Sequence, residues 1–346
     1  MPETRFFHIS QEGLLKRATS LRECMAAVKK GGYLWLDYFQ PSKEDLSELI
    51  QPLGLHPLSI EDSLDNNQIP KIEDYPKHTF ILFNGFIYEN STFTIVEVDL
   101  FIGDNFVVTV SGSNSDDRSL LSGIEKIIER DMENAKQGPA FLAHVLLDYV
   151  VDQKFIAIEG LEEEINHTED IILADHESFN PGDLLHLRRD LLSLRKSLFH
   201  EREILVKICR KDCIYISEKA IFFYRDIYDH LAKFFELTES SRDIVTSLME
   251  MYLSMINNQM ARSANQTNAI VRRLTFITTI FMPLTLLAGI GGMSEWSMMT
   301  GPANWKIAYP AFLIGMLVLG VANYYFLKVL EKKRWEKTQK TKGIES

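Results

Sequence analysis

"LTFITTIFMPLTLLAGIGGMSEWSMMTGPANWKIAYPAFLIGMLVLGVANYYFL", residues 274–327, decides the architecture. Two runs in it, 274–290 and 307–327, carry no charge, and between them lies a short polar, glycine-rich stretch, 289–305. As a helix the second run spans roughly 31 Å at about 1.5 Å per residue, the thickness of a hydrocarbon core. The first run is shorter, and Ala269–Val271 extend it past Arg272 and Arg273. A buried helical hairpin of a soluble protein is the competing interpretation. Both runs are too long and too uncharged for an ordinary core, so two membrane spans are expected.

The flanks set the orientation. Arg272 and Arg273 precede the first span, and Lys328, Lys332, Lys333 and Arg334 follow the second, whereas the connection holds only Lys306 and Glu295. This Lys/Arg bias places both tails in the cytoplasm and the connecting loop outside. The opening "MPETRFFHISQEGLLKR" lacks an apolar segment, so no signal peptide is expected. The net charge of −11 is unevenly spread: residues 328–346 carry net +4 and residues 272–327 net +2, which leaves −17 on residues 1–271. So acidic a body argues against nucleic acid as a partner and suits cations; an acidic surface kept for solubility explains it equally well. Cys24, Cys209 and Cys213 have no Cys or His set around them that would complete a zinc site and are expected to pack, reduced.

Upstream, "GGYLWLDYF" (31–39) reads as a strand, and "PSKEDLSELIQPLG" as a helix with Ser42 as N-cap and Asp45 closing a capping box. Residues 78–88 and 92–112 are β-rich, the latter folded at Gly103-Asp104-Asn105 into a hairpin. Residues 118–136 and 139–176 then turn helical, giving an α/β domain with a largely antiparallel sheet. From 183 to 282 there is neither Gly nor Pro. Such a stretch means long helices: a hairpin, then a helix running from about Ile214 into the first span, on the order of 110 Å if unbroken. A helix that long needs neighbours, and an oligomer supplies them. The expected layout is therefore an α/β domain over 1–136, a helical stalk over 137–267, a first span over 268–290, an external loop over 291–306, a second span over 307–327 and a basic tail over 328–346.

Stepping through the first span by threes and fours gives Asn268, Val271, Thr275, Thr278, Met282, Thr285, Gly289 and Gly292, a mostly small or polar stripe on one helix face. In an oligomer, such a face suits a pore for a hydrated cation. The same residues also suit close helix packing, with threonine hydroxyls bonded back to the backbone, and the sequence does not separate the two. No His-Glu-x-x-His motif, phosphate-binding glycine loop or nucleophile–base pair at motif spacing is present, so an enzyme is not expected. "EGLEEEINHTED" (159–170) fans its carboxylates over several helix faces and reads as a solvated acidic surface, with weak cation binding as the alternative.

"LTFITTIFMPLTLLAGIGGM", the "AYP" opening the second span, the basic tail, "WLDYFQPSKEDLSELIQPLGLHPLSIEDSLDNNQIPKIEDYPKHTFILF", "FYRDIYDH" and "RDIVTSLMEMYLS" together resemble the CorA family of divalent-cation channels over nearly the whole chain. The resemblance implies a homopentameric funnel with the first span lining the pore and the second forming an outer ring in the inner membrane. It implies Mg²⁺ as ion, often with Co²⁺ or Ni²⁺, and Zn²⁺ in sibling branches. By position, Asn268, Met282 and Thr285 match pore-lining sites, and Val271 and Leu274, the latter just beside the stripe, match a hydrophobic constriction. Asp226 matches an acid of an intersubunit regulatory Mg²⁺ site, with Glu89 as its candidate partner. The chain departs from the family at the outer mouth: Gly292-Met293-Ser294 stands where the family has Gly-Met-Asn, and Glu295 is the sole acid in the loop. A serine ring is wider and grips a hydrated ion less firmly, so relaxed selectivity is expected. A zinc transporter and a membrane-anchored metal sensor that does not conduct are the alternatives.

Overall fold

The computed structural model describes residues 3–342, apart from 66, 67, 90, 113–118, 293–300, 302 and 303. It divides into two compact units, Met1–Leu253 and Ser254–Ser346.

The first unit is built on a seven-stranded sheet with strand order β2-β1-β3-β7-β6-β5-β4. The strands are β1 (Glu3–Ile9), β2 (Leu15–Ala18), β3 (Tyr33–Phe39), β4 (Lys71–Asp74), β5 (Thr79–Glu89), β6 (Thr92–Ile102) and β7 (Phe106–Ser111). Every adjacent pair is antiparallel except β3 and β7. The β6–β7 turn closes at Gly103, whose N–H donates to the Phe106 carbonyl at 2.9 Å, the hairpin read from Gly-Asp-Asn. β3 and β7 are buried along their whole length, as expected of central strands covered on both faces.

One face is covered by short helices: α1 (Leu21–Val28), α2 (Lys43–Ser47), α3 (Ile50–Leu53) and α4 (Pro57–Asp62). Leu46, Leu49, Leu53, Leu55 and Ile60 pack there on Leu34, Leu36, Leu82, Phe101 and Val108. The capping box is present, with Ser42 Oγ accepting from the Asp45 N–H and Asp45 accepting from the Ser42 N–H. The helix read as one element is divided at Glu48–Leu49 into α2 and α3; no side chain caps α3, and Gly54, at φ 72°, ends it in the left-handed region.

The other face carries α5 (Glu125–Arg130), α6 (Met132–Ala135) and the long helix α7 (Pro139–Ala174). α7 is followed by α8 (Pro181–Cys209) and α9 (Glu218–Gly291). Within this unit α7, α8 and the first part of α9 share the core of that face through Leu147, Val151, Leu198, Leu205, Tyr224 and Leu231. The α8–α9 connection contains neither Gly nor Pro; Lys211 adopts φ 65° there, a left-handed turn at a position the breaker count could not mark. Cys24 and Cys213 are buried, Cys209 is half-buried and all three are free thiols, as packing residues should be.

The second unit holds the rest of α9 and the last helix, α10 (Trp305–Lys342). Each contains a segment long and apolar enough to cross a membrane, with mean hydropathies of 1.8 and 1.7 and none of either segment buried by protein. The two helices touch where Leu284 approaches Gly320 and where the Phe312 ring closes on Gly291, a position with no room for a Cβ.

Candidate metal centre and first-span stripe

α7 and α9 are clamped at their starts. Tyr224 donates its hydroxyl to the Ala140 carbonyl at 2.8 Å, and Phe223 meets Phe141 and His144 edge-on at 5.7 and 5.3 Å. One turn further along, Asp148 of α7 faces Asp226 and His230 of α9, with one ligand atom from each lying within 4.8 Å of the other two. Asp226 and His230 are four apart and so share a helix face. Burial pushes the Asp148 carboxyl up to about 6, with the Asp152 and Asp226 carboxylates adding to the rise and His230 opposing it. Two carboxyls and an imidazole converging from two rigid helices, one acid held against its tendency to ionise, form a donor set that a divalent cation fits, since its charge would relieve the repulsion.

Asp226, singled out from the sequence, is therefore part of a cluster, but its neighbours within the chain are Asp148 and His230. Glu89 stands elsewhere, exposed at the last position of β5 and paired with Thr92 of β6. Asp148 and His230 escaped the sequence reading. The signal for His230 was the Asp-x-x-x-His spacing in "RDIYDH", and for Asp148 a lone acid inside the apolar "FLAHVLLDYVV".

In the second unit the first-span stripe is displayed as one continuous exposed face: Asn268, Val271, Thr275, Thr278, Met282, Thr285, Gly289 and Gly292 are all exposed. Phe276, Ile280, Pro283, Leu284, Leu287 and Gly291 are partly covered instead. At about 100° per residue the covered and exposed faces lie about half a turn apart, so the face meeting α10 is opposite the stripe. Thr278, Met282, Thr285 and Gly289 line a shallow open groove together with Ile277, Phe281, Leu286 and Ile290. Thr275 and Thr278 donate their hydroxyls back to the Val271 and Leu274 carbonyls at 2.8 and 2.9 Å. This uses the protons and leaves the oxygen lone pairs, so the stripe presents acceptors. Leu274 is 60% exposed beside the stripe. Met293, Ser294 and Glu295 lie outside the described residues.

Residues 30–333 match the family model described as "CorA-like Mg2+ transporter protein". The chain belongs to that family. It is 32% identical over 288 residues to the cobalt/magnesium transport protein CorA of Thermotoga maritima, covering 82% of this chain and 77% of that protein. It is 22% identical over 306 residues to the zinc transport protein ZntB of Yersinia enterocolitica, covering 87% and 88%. Its fold matches the complete structure of the CorA magnesium transporter from Methanocaldococcus jannaschii with a TM-score of 0.68 at 22% identity, over 94% of this chain and 97% of that one. The α/β unit, the long helix and the C-terminal helix are thus a CorA fold. The chain is a CorA-like divalent-cation transporter and not an enzyme.

Proposed function

We propose that the chain works as a homopentamer in the inner membrane, with both termini cytoplasmic, and passes hydrated divalent cations along the first-span stripe, Mg²⁺ foremost with Co²⁺, Ni²⁺ or Zn²⁺ also admitted. The observation that carries this reading is the opposition of faces: α10 covers one side of the first span and leaves the uncharged, acceptor-bearing side free. Five such faces around an axis form a narrow polar lining. Asn268 stands at its cytoplasmic entrance, Thr275, Thr278, Met282 and Thr285 follow, and Gly289 and Gly292 let backbones converge at the outer end. Val271 and Leu274 form a constriction that closes by excluding water.

Mg²⁺ gives up its waters reluctantly, so oxygen acceptors spaced along a helix suit an ion that keeps its hydration shell. At the outer mouth Gly292, Met293, Ser294 and Glu295 replace the family's asparagine ring with a hydroxyl ring and one acid per subunit. Glu295 concentrates cations there, while the shorter side chain discriminates less among them. On the cytoplasmic side, divalent cation bound at Asp226, with Asp148 and His230 and with Glu89 of a neighbouring copy as a further donor, holds the closed state. Its loss lets like charges repel and the stalk relax, a population shift driven by differential affinity.

Uptake of Mg²⁺, Co²⁺ and Zn²⁺ into liposomes carrying the purified protein, with and without an inside-negative potential, tests this reading. Entry of all three, Mg²⁺ modestly ahead, is expected. Zn²⁺ entry alone would favour a zinc transporter, and no entry of any ion would favour a non-conducting metal sensor.

A further inference from the structure

The α/β unit holds another pair of acids, one buried and one half-exposed, remote in sequence from Asp226 and unused by the transport reading. Glu97 and Asp99 are two apart on β6 and so project from the same face of the sheet, the face covered by the short helices. Asp99 is 1% exposed, and no N–H or hydroxyl among the described residues reaches its Oδ1. Each carboxyl lies in the field of the other, so ionising one opposes ionising its neighbour. A buried carboxylate with an unpartnered oxygen, beside a second acid on the same strand face, is relieved of both repulsion and desolvation by holding a proton.

The charged surroundings reinforce this. Asp62, at the end of α4, and Asp65, just beyond it, add negative charge, and the nearby cation, Lys71 on β4, is already engaged by Asp62 at 2.7 Å and Glu73 at 3.5 Å. The β-ladder neighbours are uncharged: Asp99 lies between Leu82 of β5 and Val110 of β7, and Glu97 is opposite Asn84. We propose that Glu97 and Asp99 form a proton switch in the α/β unit, holding a proton between them at mildly acidic to neutral pH and, on losing it, loosening the β4–α4 edge from the β5–β6 ladder. The proposal stands independently of whether the chain conducts. Burial raises both carboxyls, Glu97 to about 7 and Asp99 well upward, consistent with that geometry. Because the folded values lie above those of the open chain, the stabilisation is fully present at low pH and is lost as pH rises toward and through 7.

The consequence reaches beyond the edge. The backbone of Asn84, opposite Glu97, is held through its carbonyl by the buried Lys154 of α7 and through its N–H by the buried Glu201 of α8, which ties the β5–β6 ladder to the helix that carries Asp148.

The test is hydrogen–deuterium exchange by mass spectrometry on the full chain in detergent, with exchange times scaled to equal intrinsic rates, between about pH 5.5 and about pH 7.5. Peptides covering β4 and β6 should lose protection as pH rises, by up to about tenfold per pH unit. Asp99→Asn should flatten that dependence; should this buried variant fail to fold, Glu97→Gln, at a half-exposed position, should flatten it as well. Protection at β4 and β6 that is independent of pH in the unmodified chain would overturn the proposal, as would a Glu97→Gln chain that keeps the full pH dependence.

Discussion

Lys154 and Glu201 are both fully buried, with Lys154 Nζ donating to Glu201 Oε1 at 2.6 Å and to the Asn84 carbonyl. The ammonium lies over the Phe83 and Phe86 rings at 4.5 and 4.1 Å, and Glu201 accepts further from the Asn84 N–H at 3.0 Å. Burial lowers the lysine's pKa and raises the glutamate's, and each partner opposes the effect on the other. Lys154→Met strands a carboxylate in the core, which costs about 3–5 kcal/mol. For a unit of 253 residues each kcal/mol moves the melting temperature by about 2–4 °C, so a drop of ~6–20 °C is expected. The double variant Lys154→Met/Glu201→Leu removes both charges and should recover at least about half of that loss, because an apolar pair fills the site without a desolvated ion. Thermal unfolding of the full chain in detergent, run as a double-mutant cycle, measures both. A single-variant shift under about 3 °C, or a double variant that simply adds the two single losses, would refute the idea that this pair locks α7 and α8 to β5.

At the candidate metal centre, Asp226→Ala should raise the cytoplasmic Mg²⁺ needed for half-inhibition by at least about tenfold in patch recordings. Unchanged inhibition across millimolar Mg²⁺ would count against that site. Because the Asp148 carboxyl is pushed up to about 6, protons should compete with the cation there, and apparent affinity measured by calorimetry should fall about tenfold from about pH 7 to about pH 5. Leu274→Asn should raise basal liposome flux severalfold if the side chain closes the pore by dewetting; a less stable assembly without leak would show that it only packs. Ser294→Asn should sharpen the preference for Mg²⁺ over Co²⁺, and Glu295→Gln should reduce flux most at low ionic strength, both read as relative uptake rates.

Much of this was legible because local chemistry and fold agreed. The Gly-Asp-Asn turn, the Ser42–Asp45 capping box and the breaker-free run that becomes α8 and α9 all follow from short-range rules. The two uncharged runs became the apolar segments of α9 and α10. β2 and β4 escaped notice because they are short and half-polar, and β1 because its polar residues mask the strand and its pairing is set by long-range register. The end of α8 escaped because a left-handed lysine carries no sequence mark. The metal cluster was half legible: Asp226 and His230 share a helix face, but Asp148 comes from a helix 78 residues earlier, brought there by the packing of Phe223 and Tyr224 on α7. The stripe was visible from spacing alone. Which face α10 would cover was not, since that depends on Gly291 and Gly320 meeting Phe312 and Leu284.

The account's central claim is that cations run along the exposed face of the first span. Single cysteines at Thr278 and at Ile280, introduced in a Cys209→Ser background, place a thiol on the stripe and on the opposite face. Mg²⁺ flux into liposomes is then measured before and after a positively charged thiol reagent. Modification at 278 should cut flux by about tenfold or more through repulsion in a narrow, poorly screened lining, while the chain with its thiol at 280 should be unaffected. Full labelling at 278 with unchanged flux, or equal block from both positions, would contradict the claim.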